Sequence, residues 1–246
     1  MVRTEAPDRA PDLGVLERLR TRLGPVTLAR EHLLEAPEPL LPLVGGHGLQ
    51  RGHSVGFDGP GSWSVALALA ATAAGADGWT AVVGVEELGL VAASELGVRL
   101  DRLLLVESMP STQLAEVLAV LVETVDVVMV DPRRPVGHRD ARRLSARSRE
   151  QGSVLFHLDG GRTWPLALDL TLTVVDQRWE GLGRGHGLLR QRRLTVEASG
   201  RRSAAGRRRT TVLLPGPGGK LAALDLPTTL DLPTDREVEP GLRAAG

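Results

Sequence analysis

There is no cysteine among the 246 residues, which excludes a disulfide framework, a thiolate zinc site and a thiol nucleophile, and fits an intracellular, cytoplasmic protein. Nor is there an uncharged apolar run of about 20 residues, the length a bilayer-crossing helix needs. The first residues, MVRTEAPDRAPDLG, carry neither an apolar signal core nor an Arg/Ser-rich transit pattern, so secretion and membrane spanning are not expected. Lysine is almost missing: Lys220 stands alone, and arginine carries the positive charge. The six histidines (His32, His47, His53, His138, His157 and His186) show no i, i+4 pairing and no thiol companions, so no metal site is expected. Gly61-Ser62-Trp63-Ser64 is not a nucleophile elbow of the form G-x-S-x-G.

Present instead is a segregated charge pattern beneath a formal net charge of zero. Between Gly84 and Asp126 eight acidic residues face only Arg99 and Arg102. Between Arg184 and Arg209 nine arginines face Glu197 alone, and seven more lie between Arg133 and Arg149 against Asp140. Such clusters suit phosphate backbones or acidic protein surfaces. Arg139, Arg142, Arg143 and Arg147 share one basic helix. Arg190, Arg192, Arg193, Arg201, Arg202, Arg207, Arg208 and Arg209 gather on an expected hairpin.

Hydrophobic periodicity orders the chain. Leu13, Leu16, Leu19 and Leu23 form one apolar stripe closed by Gly24-Pro25, an amphipathic helix that packs on its own domain or on a partner. A second short helical pattern covers Leu28 to Glu35, and APEPLLPL reads as a linker. Strands are expected at Ser54–Phe57, Trp79–Val85, Leu103–Val106, Val125–Val130, Val154–Leu158 and Leu168–Val175, and helices at Ser64–Ala74, Leu88–Leu96, from Ser111 to about Glu123, and at His138–Glu150. Gly181 to Gly187 reads as flexible, with strands Leu194–Ala198 and Thr210–Leu214 joined by a basic loop. The expected organisation is an N-terminal extension and linker over 1–39, a core with a basic hairpin over 40–215, and a Pro/Gly/Asp-rich, loosely ordered tail over 216–246. Strands alternating with helices imply an α/β fold with a mostly parallel sheet flanked by helices and an antiparallel C-terminal extension. Ligands on such sheets bind beyond the C-terminal strand ends.

At that edge lies Gly59-Pro60-Gly61-Ser62-Trp63-Ser64, where a phosphate loop of the form G-x-x-x-x-G-K-[ST] would stand. Read without gaps, Val65 and Ala66 take the lysine and threonine places. The loop keeps its shape and lacks its cation, so ATP turnover is not expected; weak nucleotide binding through backbone N–H groups stays open. Trp63 either fills the space phosphates need or faces a partner.

The segments GHSVGFDGPGSWSVALALA, WTAVVGVEELGLVAASELGVRLDRLLLVES and VDVVMVDPRR resemble the core of the RecA recombinases in order and spacing, over about residues 40 to 200. That resemblance implies a RecA-like fold. It also marks departures: Val85 falls at the place of the water-orienting glutamate, with Glu86 and Glu87 late, and Asp159 at that of the sensor glutamine. The stretches matching the DNA-binding loops are short, and Asp131 is a remnant of a metal-handling position. Among reduced relatives the chain is most similar to the actinobacterial form of the ImuA family, through WEGLGRGHG at 179–187, LLRQRRLTVEASGRR and RRRTTVLLPGPGG. This resemblance implies a non-catalytic accessory role in SOS-type damage tolerance, with ImuB and RecA as partners, an error-prone replicative-type polymerase reached indirectly, and single-stranded DNA as a further contact. Two other readings stay open: a RecA-type DNA-dependent ATPase with an atypical loop, and a SulA-like inhibitor of cell division.

Overall fold

The structure is a computed structural model that describes residues 33–106, 111–131, 136–182, 187–201 and 208–224. The segment with Leu13, Leu16, Leu19 and Leu23, the stretch with Arg202 and Arg207, and the tail beyond Leu224 lie outside the described residues. The chain enters as strand β1 (Leu33–Leu34), passes a 3-10 turn (Glu38–Leu40) into the one-turn helix α1 (Leu41–Val44), and returns as β2 (Leu49–Gln50), antiparallel to β1. Two expectations change here. The helical pattern over Leu28–Glu35 gives a strand at Leu33–Leu34, and the linker APEPLLPL buries Leu40 and Leu43 completely. Its prolines open the two short helices, where a missing N–H costs nothing, and the three-residue spacing sets both leucines against the core.

The main sheet comprises β3 (Ser54–Asp58), β4 (Thr80–Val83), β5 (Leu103–Val106), β6 (Val127–Val130), β7 (Val154–His157), β8 (Leu170–Leu182), β9 (Gly187–Ser199), β10 (Arg208–Leu213) and β11 (Ala222–Ala223). Their order is 11-10-9-8-3-7-6-4-5, parallel from β5 across to β8 and antiparallel from β8 to β11. Helices α2 (Ser62–Ala74), α3 (Leu90–Glu95), α4 (Ser111–Thr124) and α5 (His138–Gln151) link the parallel strands. This is the RecA-like α/β architecture expected. Successive strand residues feed opposite layers: Val154 and Phe156 join Phe57, Leu69 and Met129, while Leu155 joins Leu118, Leu144 and Trp164. No helix among the described residues is long and apolar enough to cross a membrane.

The antiparallel part differs from expectation. Gly181 and Leu182 finish β8 and Gly187 opens β9, so the segment read as flexible contributes to a long hairpin that pairs Leu182 with Gly187. Register shifts beside Val175 and Gly181 absorb the extra residues, and Gly181 has φ 102°; a glycine inside a strand marks a bulge.

Helix α2 lies at the centre. Eight of its thirteen residues are buried, spread around its circumference, and its many alanines let the sheet approach closely. Replacing the fully buried Leu69 with Ala is expected to cost about 2–5 kcal/mol in urea-induced unfolding. A cost below about 1 kcal/mol would show that α2 is not the core element described.

Candidate functional site

The loop between β3 and α2 is shorter than a phosphate cradle. Gly59 and Gly61 adopt φ of 84° and 82°, the N–H of Ser62 donates to Gly59 O at 3.3 Å, and that of Ser64 donates to Gly61 O at 3.1 Å. The helix therefore starts at Ser62, two residues earlier than the sequence suggested, and Val65 and Ala66 sink into the core at 1% and 0% exposure. A Cβ on Gly59 would stand 2.2 Å from Val174 O, so the turn is pressed against β8. Trp63 is half-buried and packs on the same core rather than facing outward.

A cation does reach this loop, from a different part of the chain. Arg192 on β9 donates from Nη2 to Ser64 Oγ at 2.7 Å and from Nε to Leu214 O at 2.7 Å. Its guanidinium lies 5.2 Å from the centre of the Trp179 ring, and a Cβ on Gly61 would be 3.0 Å from its Nη1. Among the described residues it has no carboxylate partner, and burial holds its pKa below the usual arginine value. The sequence had placed Arg192 with the outward DNA or partner contacts. Pairing of Trp179 with Arg192, in step with Gln177 and the buried Leu194, turns it to the inner face instead.

The remaining positions matched through the RecA resemblance make local contacts. Val85 packs against the core. Asp159 is buried and organises its own turn, its Oδ1 accepting from Gly161 N at 2.8 Å and its Oδ2 from Thr163 N at 2.8 Å and Thr163 Oγ1 at 2.6 Å. Asp131 follows β6, its N–H bonded to Val83 O at 3.0 Å. Among the described residues, no group of three or more His, Asp or Glu side chains could hold a metal.

Trp164 is buried and stacks on His157 with ring centres 4.6 Å apart, which removes it from base stacking. His157 is fully buried and neither ring nitrogen has a hydrogen-bond partner. Burial lowers its pKa to about 4, opposed by the charge of Asp159.

The arginines separate into two populations. On the hairpin, Arg193 binds Glu180 at 2.8 Å and Arg209 binds Glu197. Arg190 and Arg201 are exposed, and Arg208 is half-buried. Two arginines of the proposed basic hairpin patch, Arg193 and Arg209, are thus paired with carboxylates on the neighbouring strand, a pairing that sequence distance hides. On α5, Arg147 binds Glu123 of α4, whereas Arg139, Arg142 and Arg143 are exposed and make no ion pair among the described residues.

A surface that the sequence did not single out is the outer edge of the sheet. Among the described residues β5 has no neighbour beyond it, and Leu104 and Leu105, which point to opposite faces, are 37% and 49% exposed. Leu90 and Val91 of α3, and Leu100, are exposed too, while Glu87, Glu95 and Asp101 add exposed carboxylates along the same segment. Bare apolar strand edges are otherwise blunted in native proteins because they recruit further strands.

Residues 42–166 match the family model described as the MT3502 N-terminal domain. The uncharacterized protein Rv3395c of Mycobacterium tuberculosis (strain ATCC 25618 / H37Rv) is 34% identical over 150 residues, covering 57% of this chain and 71% of that protein. Among solved structures, the crystal structure of the RadB recombinase superposes with a TM-score of 0.54 at 14% identity, covering 76% of this chain and 97% of that one. The last likeness concerns the fold alone.

Two outcomes are expected. Arg192→Ala should cost about 2 kcal/mol, as loss of hydrogen bonds from a charged donor does, while Arg190→Ala on the same strand should stay within about 0.5 kcal/mol; equal costs in urea unfolding would refute the inward placement. For His157, the folded pKa of about 4 lies below the unfolded value near 6.5. The unfolded state gains a proton first as pH falls, so stability is lost between about pH 6.5 and 4, by at most about 3 kcal/mol. His157→Leu should flatten that part of the stability–pH curve, and an unaltered slope would contradict it.

Proposed function

This chain belongs to the MT3502 N-terminal domain family, and we propose that it is a non-catalytic, RecA-like accessory protein of SOS-type DNA damage tolerance and induced mutagenesis. In this role it holds ImuB and contacts RecA, bringing an error-prone replicative-type polymerase to the assembly indirectly. The observation that carries the reading is the closed loop. With Val65 and Ala66 in the core and Arg192 bonded to Ser64, no side chain supplies the lysine that reaches β and γ phosphates or the hydroxyl that holds Mg²⁺. The resemblance in the 179–187 segment, whose described residues close β8 and open β9, favours the ImuA family among reduced RecA relatives.

Two surfaces suit assembly. The β5 edge offers unpaired backbone and exposed leucines, the requirements for strand addition by an extended partner segment. The arginines of α5 that lack partners offer positive charge for RecA, for an acidic partner, or for single-stranded DNA, whose affinity would fall steeply with salt. On the hairpin, Arg193 and Arg209 are already paired with Glu180 and Glu197.

Phosphate release measured with and without single-stranded DNA tests the non-catalytic part: no turnover above background is expected, and robust DNA-stimulated hydrolysis would overturn it. Leu105→Lys is expected to weaken ImuB capture tenfold or more with the melting temperature shifted by no more than about 2 °C, since exposed substitutions have small stability effects. Neutralising Arg139, Arg142 and Arg143 to Gln should weaken RecA or DNA contact, while Arg193→Gln with Arg209→Gln should leave it unchanged. Full ImuB binding by Leu105→Lys would remove the edge from the interface.

A further inference from the structure

We propose that the cavity at the N-terminal ends of β3 and β8 binds a carboxylate carried on an aliphatic body. This cavity lies at the opposite strand ends from the closed loop and takes no part in the assembly surfaces above. Its volume is about 380 Å³, within the range of small-ligand sites. Leu43, Val44 and Leu170 give it an aliphatic floor, and His47, His53 and Arg208 bring polar groups to the same space.

Arg208 is the deciding residue. It opens β10 opposite Ala198, its Nε is shielded from solvent without an acceptor, and among the described residues it has no ion pair. A desolvated donor without a partner is costly, and a planar guanidinium fork fits a carboxylate. Asp169 lines the same cavity yet is engaged elsewhere: its Oδ2 accepts from Ser54 N at 3.0 Å and stands 3.8 Å from Nη2 of Arg149. With Asp169 balanced by Arg149, one positive charge remains, which matches a monoanion better than a phosphate dianion.

The rim is built for close approach. Gly45 and Gly46 have φ of 111° and 88° with open space where a Cβ would be, and at Gly48, φ 134°, a Cβ would stand 2.5 Å from Leu34 O. Backbone therefore borders the opening, with exposed His47 between glycines. The aliphatic floor offers no stacking platform for a base, so a branched apolar acid, free or as an acidic residue beside leucine in a partner segment, is the ligand class.

Calorimetric titration of the full chain with 4-methylpentanoate, with acetyl-Leu-Asp-amide and with inorganic phosphate tests this. At least one carboxylate probe should saturate, with affinity reduced tenfold or more by Arg208→Gln and unchanged by Arg201→Gln. Tighter binding of the free acid identifies a small-molecule ligand; tighter binding of the dipeptide identifies a partner segment. Val44→Phe, which keeps the guanidinium and fills the mouth, must also weaken binding, and it decides the matter if Arg208→Gln does not melt cooperatively. Absence of saturation at millimolar probe, wild-type affinity in Val44→Phe, or phosphate binding more tightly than both carboxylates would overturn the proposal. None of the probes engages the β5 edge or α5, so this test and the assembly tests can fail separately.

Discussion

Helix α2 packs against β3, β4, β6 and β8 of the main sheet, with β1 and α3 also against it, so a charge at its buried position 65 would have to leave water. That requirement fixes the loop before it. A lysine at position 65 would sit where Val65 now packs, at a desolvation cost of several kcal/mol with no partner charge within the core. The helix instead extends toward its N-terminus as far as Ser62, the intervening loop shrinks to Gly59-Pro60-Gly61, and Arg192, stacked on Trp179, bonds to Ser64 beside it. Absence of the lysine and closure of the loop are therefore one physical fact seen twice: the same burial that stabilises α2 forbids the cation that nucleotide chemistry needs.

Arg192 then couples that closure to the antiparallel extension. Its bonds run to Ser64 at the start of α2, 128 residues away, and to Leu214 beyond β10, 22 residues away, so three parts of the chain meet on one guanidinium. Charged donors of this kind contribute more than neutral hydrogen bonds. The neighbouring ion pairs, Arg193 with Glu180 and Arg209 with Glu197, cross between adjacent strands and individually add little at exposed positions. Their consequence is electrostatic: they offset two charges of the arginine cluster, while Arg139, Arg142 and Arg143 of α5 stay exposed without ion pairs among the described residues.

Much of this was legible in the residues, and the exceptions have definite causes. The alternation of strands and helices gave the parallel sheet, because buried strands such as Val127–Val130 are continuous apolar runs and helices such as His138–Gln151 end at Gly152. The missing lysine was legible directly. The direction of Arg192 was not, because it depends on a bulge beside Val175 that changes which residues of β8 face inward. Neutralisation of Arg193 and Arg209 was hidden for the same reason, since cross-strand partners lie 12 to 13 residues away in sequence. The exposed edge was invisible because LLLV reads alike for a central or an outer strand; only the sheet order, with the third parallel strand outermost, exposes Leu104 and Leu105. APEPLLPL misled through its prolines, which signal a linker by composition yet occupy helix first turns here.

An enclosed α2 and a pinned hairpin also bear on how such a molecule could work in an assembly. A motor of this fold uses its loop to report nucleotide state to distant surfaces, which requires at least two arrangements of loop and sheet. Here Gly59 O and Gly61 O accept from the first turn of α2 and Arg192 bonds to Ser64, which ties the loop to the helix and the hairpin. The β5 edge, by contrast, retains unpaired backbone groups at the far end of the same sheet, and α5 retains arginines without partners. Two surfaces carried on one sheet stand in a fixed relation, and a fixed relation between binding surfaces raises the effective concentration of one partner at another.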